Sequence, residues 1–254
     1  MGLSSLIFDT HAHYDDPAFE DNFDSLINEM QESNVGGIIT CGCDKESSLK
    51  ALALAEAYDI FYAAVGIHPG SIDSGTTVEE IEALAKHPKC VAIGEIGLDY
   101  YWRQDNKAEL LDILKYQLEL ANKLDLPVLF HDRDGHADTL EILKQYKPKG
   151  VVHAFSGSVE MAREIIKLGL YIGVGGVLTF NNARALPSVV GDISLDKILL
   201  ETDAPYLAPV PFRGKPNRSD YIIFVAEKMA EIKEITINDV LAQTFKNAQN
   251  LFNL

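Results

Sequence analysis

The stretch LIFDTHAHYDD, residues 6–16, joins an apolar run to a row of ionisable side chains. The run at residues 6–8 is typical of a buried strand, and Asp9, His11 and His13 follow it at alternate positions. Because successive side chains of an extended chain point to opposite faces, these three point the same way. One carboxylate and two imidazoles on one face predict a functional site at the end of this strand.

Further apolar, β-branched runs alternate with helical patterns along the whole chain. In residues 105–124, leucines recur at the spacing of one helix face, and a last helix is expected to begin at the capping-box pattern of Thr236 and Asp239. Strands that alternate with helices predict a parallel sheet, closed most simply as a single (β/α)8 TIM barrel over residues 1–254. An open doubly wound sheet is disfavoured because the Gly-x-Gly-x-x-Gly turn is missing after the first strand. The expected strands are residues 5–9, 36–41, 60–66, 90–95, 127–131, 150–154, 170–175 and 197–202.

The charge balance restricts how this protein can bind nucleic acid. The 22 basic and 38 acidic residues give a net charge of −16. Non-specific affinity for a polyanion comes from basic clusters, and the sequence has none. Duplex DNA should therefore bind weakly, and a frayed or single-stranded end should be preferred. A phosphate substrate would need positive charge from a source other than lysine and arginine.

The cysteine count and the apolar runs indicate where the protein works. Three cysteines in a chain without an export signal predict a reduced, cytoplasmic protein. The first ten residues lack the basic start of a signal peptide, and no apolar run approaches the roughly 20 residues that cross a bilayer. We therefore expect no membrane partner, and no feature of the sequence indicates an obligate protein partner.

Ionisable side chains follow six of the expected strands. In a barrel of parallel strands the carboxyl ends converge on one mouth, where active sites lie. Imidazole and carboxylate are natural ligands of Zn²⁺, Mn²⁺ and Mg²⁺, and would be costly to gather unpaired without a cation. The sequence therefore predicts a metal site at the mouth. The side chains at these strand ends are Asp9, His11, His13, His68, Glu95, His131, Arg133, His153 and Asp203.

The ligand set suits two divalent ions. Such pairs typically lie about 3.5–4 Å apart and share an activated water. Two ions bring four positive charges against the two carboxylates of Glu95 and Asp203, so a locally positive pocket opens in an acidic protein. We assign the first ion to His11, His13 and Asp203 and the second to His131 and His153, with Glu95 as the bridge.

Seven short motifs occur in order over nearly the whole chain. They are DTHAHYD (9–15), GIHP (66–69), AIGEIGLDYYW (92–102), PVLFHDRD (127–134), HAFSG (153–157), LLETDAPYL (199–207) and RGKPN (213–217).

In this order the motifs resemble those of the TatD-type metal-dependent deoxyribonucleases, which are amidohydrolase-like barrels. The first motif alone would suit any amidohydrolase, whereas the full series is specific. The resemblance implies hydrolysis of phosphodiester bonds with two divalent ions (Mg²⁺, Mn²⁺ or Zn²⁺), often described as 3′–5′ exonuclease action on DNA. The family's metal positions fall on His11, His13, Glu95, His131, His153 and Asp203.

Four carboxylates have different expected roles. Asp203 is the expected acceptor of the proton from the attacking water, and Glu95 is catalytic as the shared ligand. Asp9 either orients a ligand histidine or caps the end of its strand. Glu201 shares the face of Asp203 one layer deeper, which favours a buried hydrogen bond over ligation.

Three cationic or imidazole side chains are candidates for binding phosphate oxygens, and for each a structural ion pair is the alternative. The aromatic run of residues 100–102 either stacks on the bases of a single strand or packs within its own loop. The phosphate-binding candidates are His68, Arg133 and Arg213.

The main alternative function is a metal-dependent amidohydrolase or carboxyl esterase, such as a D-aminoacyl-tRNA deacylase. Many binuclear cyclic-amide hydrolases bridge their metals with a modified lysine on strand 4. Glu95 in that position disfavours cyclic-amide chemistry but is compatible with ester cleavage. A non-catalytic role is disfavoured because the ligand set is intact.

Overall fold

Eight strands form one parallel sheet in chain order, from β1 to β8, in the computed structural model, which describes residues 5–103 and 106–254. A parallel bridge between Ala12 and Ala204 joins the two edges, and the N–H of His13 donates to the carbonyl of Ala204 at 2.7 Å. The sheet therefore closes as the predicted (β/α)8 barrel. The strands are β1 Ile7–Ala12, β2 Val35–Cys41, β3 Phe61–Val65, β4 Cys90–Asp99, β5 Val128–Arg133, β6 Gly150–Val152, β7 Tyr171–Val174 and β8 Ile198–Leu200.

Amphipathic helices surround the strands. The leucine-rich face of residues 107–124 is buried, and the expected capping box forms, with the N–H of Asp239 donating to Oγ1 of Thr236. Within residues 5–103 and 106–254, no helix has the length and apolar character to span a membrane. The helices are α1 Phe23–Glu32, α2 Lys45–Ala57, α3 Val78–Leu84, α4 Lys107–Leu124, α5 His136–Tyr146, α6 Val159–Lys167, α7 Ala185–Asp192, α8 Ile222–Lys233 and α9 Ile237–Phe252.

Strand side chains alternate between two apolar cores. Ile38 belongs to the large core between the sheet and the helices, whereas its neighbour Ile39 belongs to the core inside the barrel. Leu251 and Phe252 of α9 pack into this inner core. Successive side chains of a strand point to opposite faces, and here each face meets an apolar core. The strands are therefore buried on both faces, as expected for a parallel sheet.

The fourth strand is longer than its apolar run predicts. It continues past Glu95 to Asp99, and every residue of it is buried. Gly97, with φ of 151°, makes this continuation possible, because a Cβ at that position would overlap the backbone of His131 on β5. Glu95 and Asp99 are four residues apart on one strand, so both side chains face the mouth of the barrel.

Candidate metal centre

Glu95 lies at the middle of a cluster of imidazoles. Its side chain is 4% exposed, and its two oxygens face different partners. Oε2 lies 3.3 Å from Nε2 of His11 and 3.5 Å from Nε2 of His13. Oε1 lies 2.8 Å from Nδ1 of His131 and 3.1 Å from Nε2 of His153. One carboxylate therefore stands between two pairs of imidazole nitrogens.

Asp203 completes the side of the cluster formed by β1. Its Oδ1 lies 3.5 Å from Nε2 of His13 and 3.9 Å from Nε2 of His11. The residue lies three positions after the end of β8 and adopts a left-handed backbone, with φ of 59°. Its N–H donates to the carbonyl of His11 at 2.9 Å. With 19% of its side chain exposed, Asp203 is the more open of the two central carboxylates.

A backbone acceptor and ring stacking orient three of the candidate ligands. Nδ1 of His13 lies 3.0 Å from the carbonyl oxygen of Cys41, which fixes the proton on Nδ1 and leaves the lone pair of Nε2 for the centre. The ring of His11 stacks on that of His153 with centroids 3.8 Å apart. Three overlapping groups of side chains bring their donor atoms within 4.8 Å of one another, namely His11–His13–Glu95, His11–His153–Asp203 and His68–Glu95–His131.

The protonation of the cluster indicates that it requires positive charge. Burial by itself raises the pKa of Glu95, but the imidazoles of His68, His153 and His11 outweigh burial and hold that pKa well below its usual range. Burial lowers the pKa of His131, yet hydrogen bonds to Asp99 and Glu95 raise it to about 8. Without a cation, protons on imidazoles neutralise the carboxylates. A divalent ion would replace those protons, so this donor set fits a metal.

His68 presents a hydrogen-bond donor to the centre. The N–H of Gly70 donates to its Nδ1 at 2.9 Å, so the proton of the neutral ring is on Nε2. Nε2 lies 3.6 Å from Oε1 of Glu95 and faces the centre. Burial lowers the pKa of His68 to about 4, which keeps the ring neutral. His68 therefore directs an N–H group into the mouth.

Asp9 accepts hydrogen bonds from backbone and hydroxyl groups, not from an imidazole ring. Its oxygens accept hydrogen bonds from the N–H groups of His11 and Thr202 and from the hydroxyls of Thr202 and Ser219. Burial nevertheless raises its pKa to about 7. Asp9 thereby ties β1 to the segment after β8, which corresponds to the strand-end alternative for this residue.

Glu201 makes the buried hydrogen bond expected from its position. The N–H of Ala154 donates to Oε1 at 2.5 Å, and the same oxygen lies 3.6 Å from Nδ1 of His153. Gly173 leaves the space that the carboxylate occupies, since a Cβ there would overlap Oε2 of Glu201.

Two cavities of about 450 Å³ each open on either side of the cluster. We call the first the acidic lobe, lined by Asp15, Asp16, Asp44 and Lys50 in addition to the cluster. The second, the arginine lobe, is lined by Arg133, Phe155, Val177, Arg184 and Leu186. Both lobes include His131, His153 and Asp203 in their walls.

The structure separates the predicted phosphate-binding residues. His68 lines the acidic lobe and Arg133 the arginine lobe. Arg213 lies outside both linings, where its guanidinium stacks 3.8 Å from the ring centroid of Phe180 and donates to the carbonyl of Ala208. A contact between Arg213 and phosphate stays a prediction.

Two residues of the mouth were not identified from the sequence. Asp99 lies 3.3 Å from Nε2 of His131, and the alternation from Glu95 would have found it had the strand been extended by four residues. Arg184 precedes α7 in a loop without a motif, so the sequence carries no signal for it.

Comparisons with known proteins find similar sequences and structures over nearly the whole chain. A family model described as TatD related DNase matches residues 8–253. The uncharacterized metal-dependent hydrolase YabD of Bacillus subtilis is 39% identical, covering 98% of this chain and 100% of that protein. The structure of YJJV, a TatD homologue from Escherichia coli K12, has a TM-score of 0.91 at 34% identity and 98% coverage of both chains. A TatD family hydrolase from Entamoeba histolytica has a TM-score of 0.88 at 25% identity and 99% coverage of both.

Proposed function

Because this chain belongs to the family of TatD-related metal-dependent hydrolases, we propose that it cleaves phosphodiester bonds of DNA with two divalent ions at the barrel mouth. The position of Glu95 carries the proposal. Each of its oxygens faces a separate pair of imidazole nitrogens, at distances of 2.8–3.5 Å. A carboxylate in this position is suited to bridge one ion beside His11 and His13 and another beside His131 and His153.

Bound ions would act as Lewis acids toward phosphoryl oxygens and would acidify a water. The residues of the chain supply the remaining functions. Asp203, ionised and partly exposed, is placed to accept the proton of the attacking water. The Nε2–H group of His68 is placed to donate to a phosphoryl oxygen as negative charge develops there.

The two lobes support hydrolysis at the end of a strand. A DNA strand carries a negative charge at every nucleotide, so the acidic lobe repels it. Lys50, the cation of that lobe, is itself only 3.0 Å from Glu46. The arginine lobe offers two cations and apolar walls against which bases can pack. Its further carboxylates, Asp132 and Glu201, are buried and already accept hydrogen bonds, from His136 and from the N–H of Ala154. A strand that enters through the arginine lobe and stops at the cluster matches exonuclease action on single-stranded ends.

Metal removal tests this function directly. Purified protein should hydrolyse single-stranded DNA and should lose that activity in excess chelator, because the proposed reaction needs divalent cations bound to the imidazole–carboxylate cluster. Addition of Mg²⁺ or Mn²⁺ should restore the activity. The same protein is assayed on a carboxyl ester with and without chelator. Metal-dependent cleavage of the ester with none of DNA would replace the proposed substrate by the carboxylesterase alternative. Full DNA hydrolysis in chelator would contradict the metal mechanism.

Substitution of Arg184 tests the path of the strand. Arg184→Ala should raise KM for single-stranded DNA about tenfold with little change in kcat, because a charged hydrogen bond to a phosphate outside the scissile group is lost. Arg163→Ala is the matched control, since Arg163 pairs with Asp192 away from the mouth. An unchanged KM for the Arg184 variant would show that the strand follows another path.

A further inference from the structure

Asp99 contacts both the metal centre and the rim of the barrel mouth. Its side chain is 4% exposed. Oδ2 lies 3.3 Å from Nε2 of His131, while Oδ1 accepts hydrogen bonds from the backbone N–H groups of Tyr101 and Trp102, both at 3.1 Å. One carboxylate therefore links a candidate ligand to a loop that carries two aromatic rings.

The contact with Asp99 determines which nitrogen of His131 is available to a metal. Both nitrogens of His131 face a carboxylate, Nε2 that of Asp99 and Nδ1 that of Glu95. Because a carboxylate only accepts hydrogen bonds, a cation beside Glu95 would displace the proton from Nδ1, and Asp99 would keep the proton of the neutral ring on Nε2. Nδ1 is the nitrogen that faces the centre, 2.8 Å from Oε1 of Glu95 and 3.4 Å from Nε2 of His153. An Nδ1–H tautomer would point a proton at the place where an ion belongs.

The loop anchored by Asp99 forms an exposed aromatic rim. Tyr101 and Trp102 are 51% and 68% exposed, and their rings lie perpendicular with centroids 4.7 Å apart. The guanidinium of Arg133 lies 4.1 Å from the ring centroid of Tyr101, so this rim adjoins the arginine lobe. Trp102 is the only tryptophan of the chain, and its fluorescence therefore reports on this loop alone.

We propose that Asp99 is a positioning residue that couples metal binding at His131 to the aromatic rim. It holds His131 as the Nε2–H tautomer, and it anchors Tyr101 and Trp102 through the other oxygen. A cation on Nδ1 makes the Nε2–H group a stronger donor to Asp99, and the carboxylate transmits that change to the two backbone N–H groups. The inference rests on the proposed metal site and is independent of the substrate.

The test is a Zn²⁺ titration of metal-stripped protein, followed by calorimetry and by Trp102 emission. In the unmodified protein the emission should change and saturate together with the heat of binding. Asp99→Asn keeps an acceptor for the two N–H groups but replaces Oδ2 by a donor, which forces the proton of His131 onto Nδ1. Its Zn²⁺ affinity should fall about 10–100-fold, while its emission without metal stays unchanged.

Two further variants separate the two roles of Asp99. Asp99→Ala removes both contacts, so its emission should differ from that of the unmodified protein even without metal. Asp138→Asn is the control, because Asp138 accepts a hydrogen bond from the hydroxyl of Tyr100 at 2.6 Å and holds the same loop without touching His131. Its Zn²⁺ affinity should be unchanged.

Each part of the inference has an outcome that overturns it. Normal Zn²⁺ affinity of Asp99→Asn would refute the tautomer role, and a lower melting temperature alone would indicate a merely structural role. Emission of Trp102 that ignores bound Zn²⁺ in the unmodified protein would refute the coupling. If Asp99→Ala does not fold, the Asn variant and the unmodified protein still decide both points. No Zn²⁺ binding by the unmodified protein would instead contradict the metal site itself.

Discussion

Glu95→Gln is expected to bind one divalent ion per chain instead of two and to turn over about 10³-fold more slowly, equivalent to about 4 kcal/mol of transition-state stabilisation. The amide has one acceptor oxygen, and its NH₂ group cannot bind a metal. If the oxygen stays beside His131 and His153, the NH₂ group faces His11 and His13. The site beside His11 and His13 would then keep only Asp203 as a carboxylate, and in the opposite orientation of the amide the site beside His131 and His153 would keep none.

The measurement is metal content after gel filtration, together with turnover on single-stranded DNA at saturating Mn²⁺. Glu56→Gln is the matched control, because Glu56 also faces an imidazole, that of His87 at 2.9 Å, but its side chain is 66% exposed and far from the mouth in the fold. That variant should keep two ions and full turnover. Two tightly held ions and near-normal turnover in Glu95→Gln would show that Glu95 is not the bridge.

The barrel could be predicted because its strands are apolar on both faces and its helices on one. Burial on both faces makes each strand readable as a continuous apolar run, and the alternation with helices leaves few topologies. The predicted end of β4, at residue 95, was wrong for the same reason. Gly97 and Asp99 interrupt the apolar run, yet both are buried in the strand, one because a neighbouring backbone passes close and the other because it bonds to His131 and the rim loop.

The composition of the candidate site could be predicted, but its internal contacts could not. Convergence of strand ends depends only on topology, so His131 and Glu95 were expected at one mouth. The donor role of His68 depends on a hydrogen bond from Gly70, which only the folded loop reveals. The place of Arg213 depends on the path of a long irregular segment, and the structure places its guanidinium on the ring of Phe180, outside the linings of both lobes.

Asp203→Asn is expected to leave the barrel folded and to lower turnover about 10²–10⁴-fold, the usual contribution of a general base. The left-handed backbone of Asp203, with φ of 59°, suits asparagine at least as well as aspartate, so the substitution adds no strain. The amide oxygen can still face Nε2 of His13, where Oδ1 now lies at 3.5 Å. The amide cannot accept a proton from water, which isolates the proposed catalytic function.

Turnover must be measured at saturating metal, so that a loss of metal affinity is not mistaken for a loss of catalysis. Asp112→Asn is the matched control, since Asp112 lies on α4 with 65% of its side chain exposed and pairs with Lys115. It should retain full turnover and the same melting temperature. A large fall in turnover confined to Asp203→Asn, with an unchanged melting temperature, is the result that a general base requires. Near-full turnover of Asp203→Asn at saturating metal would place the proton acceptor on another group of the cluster.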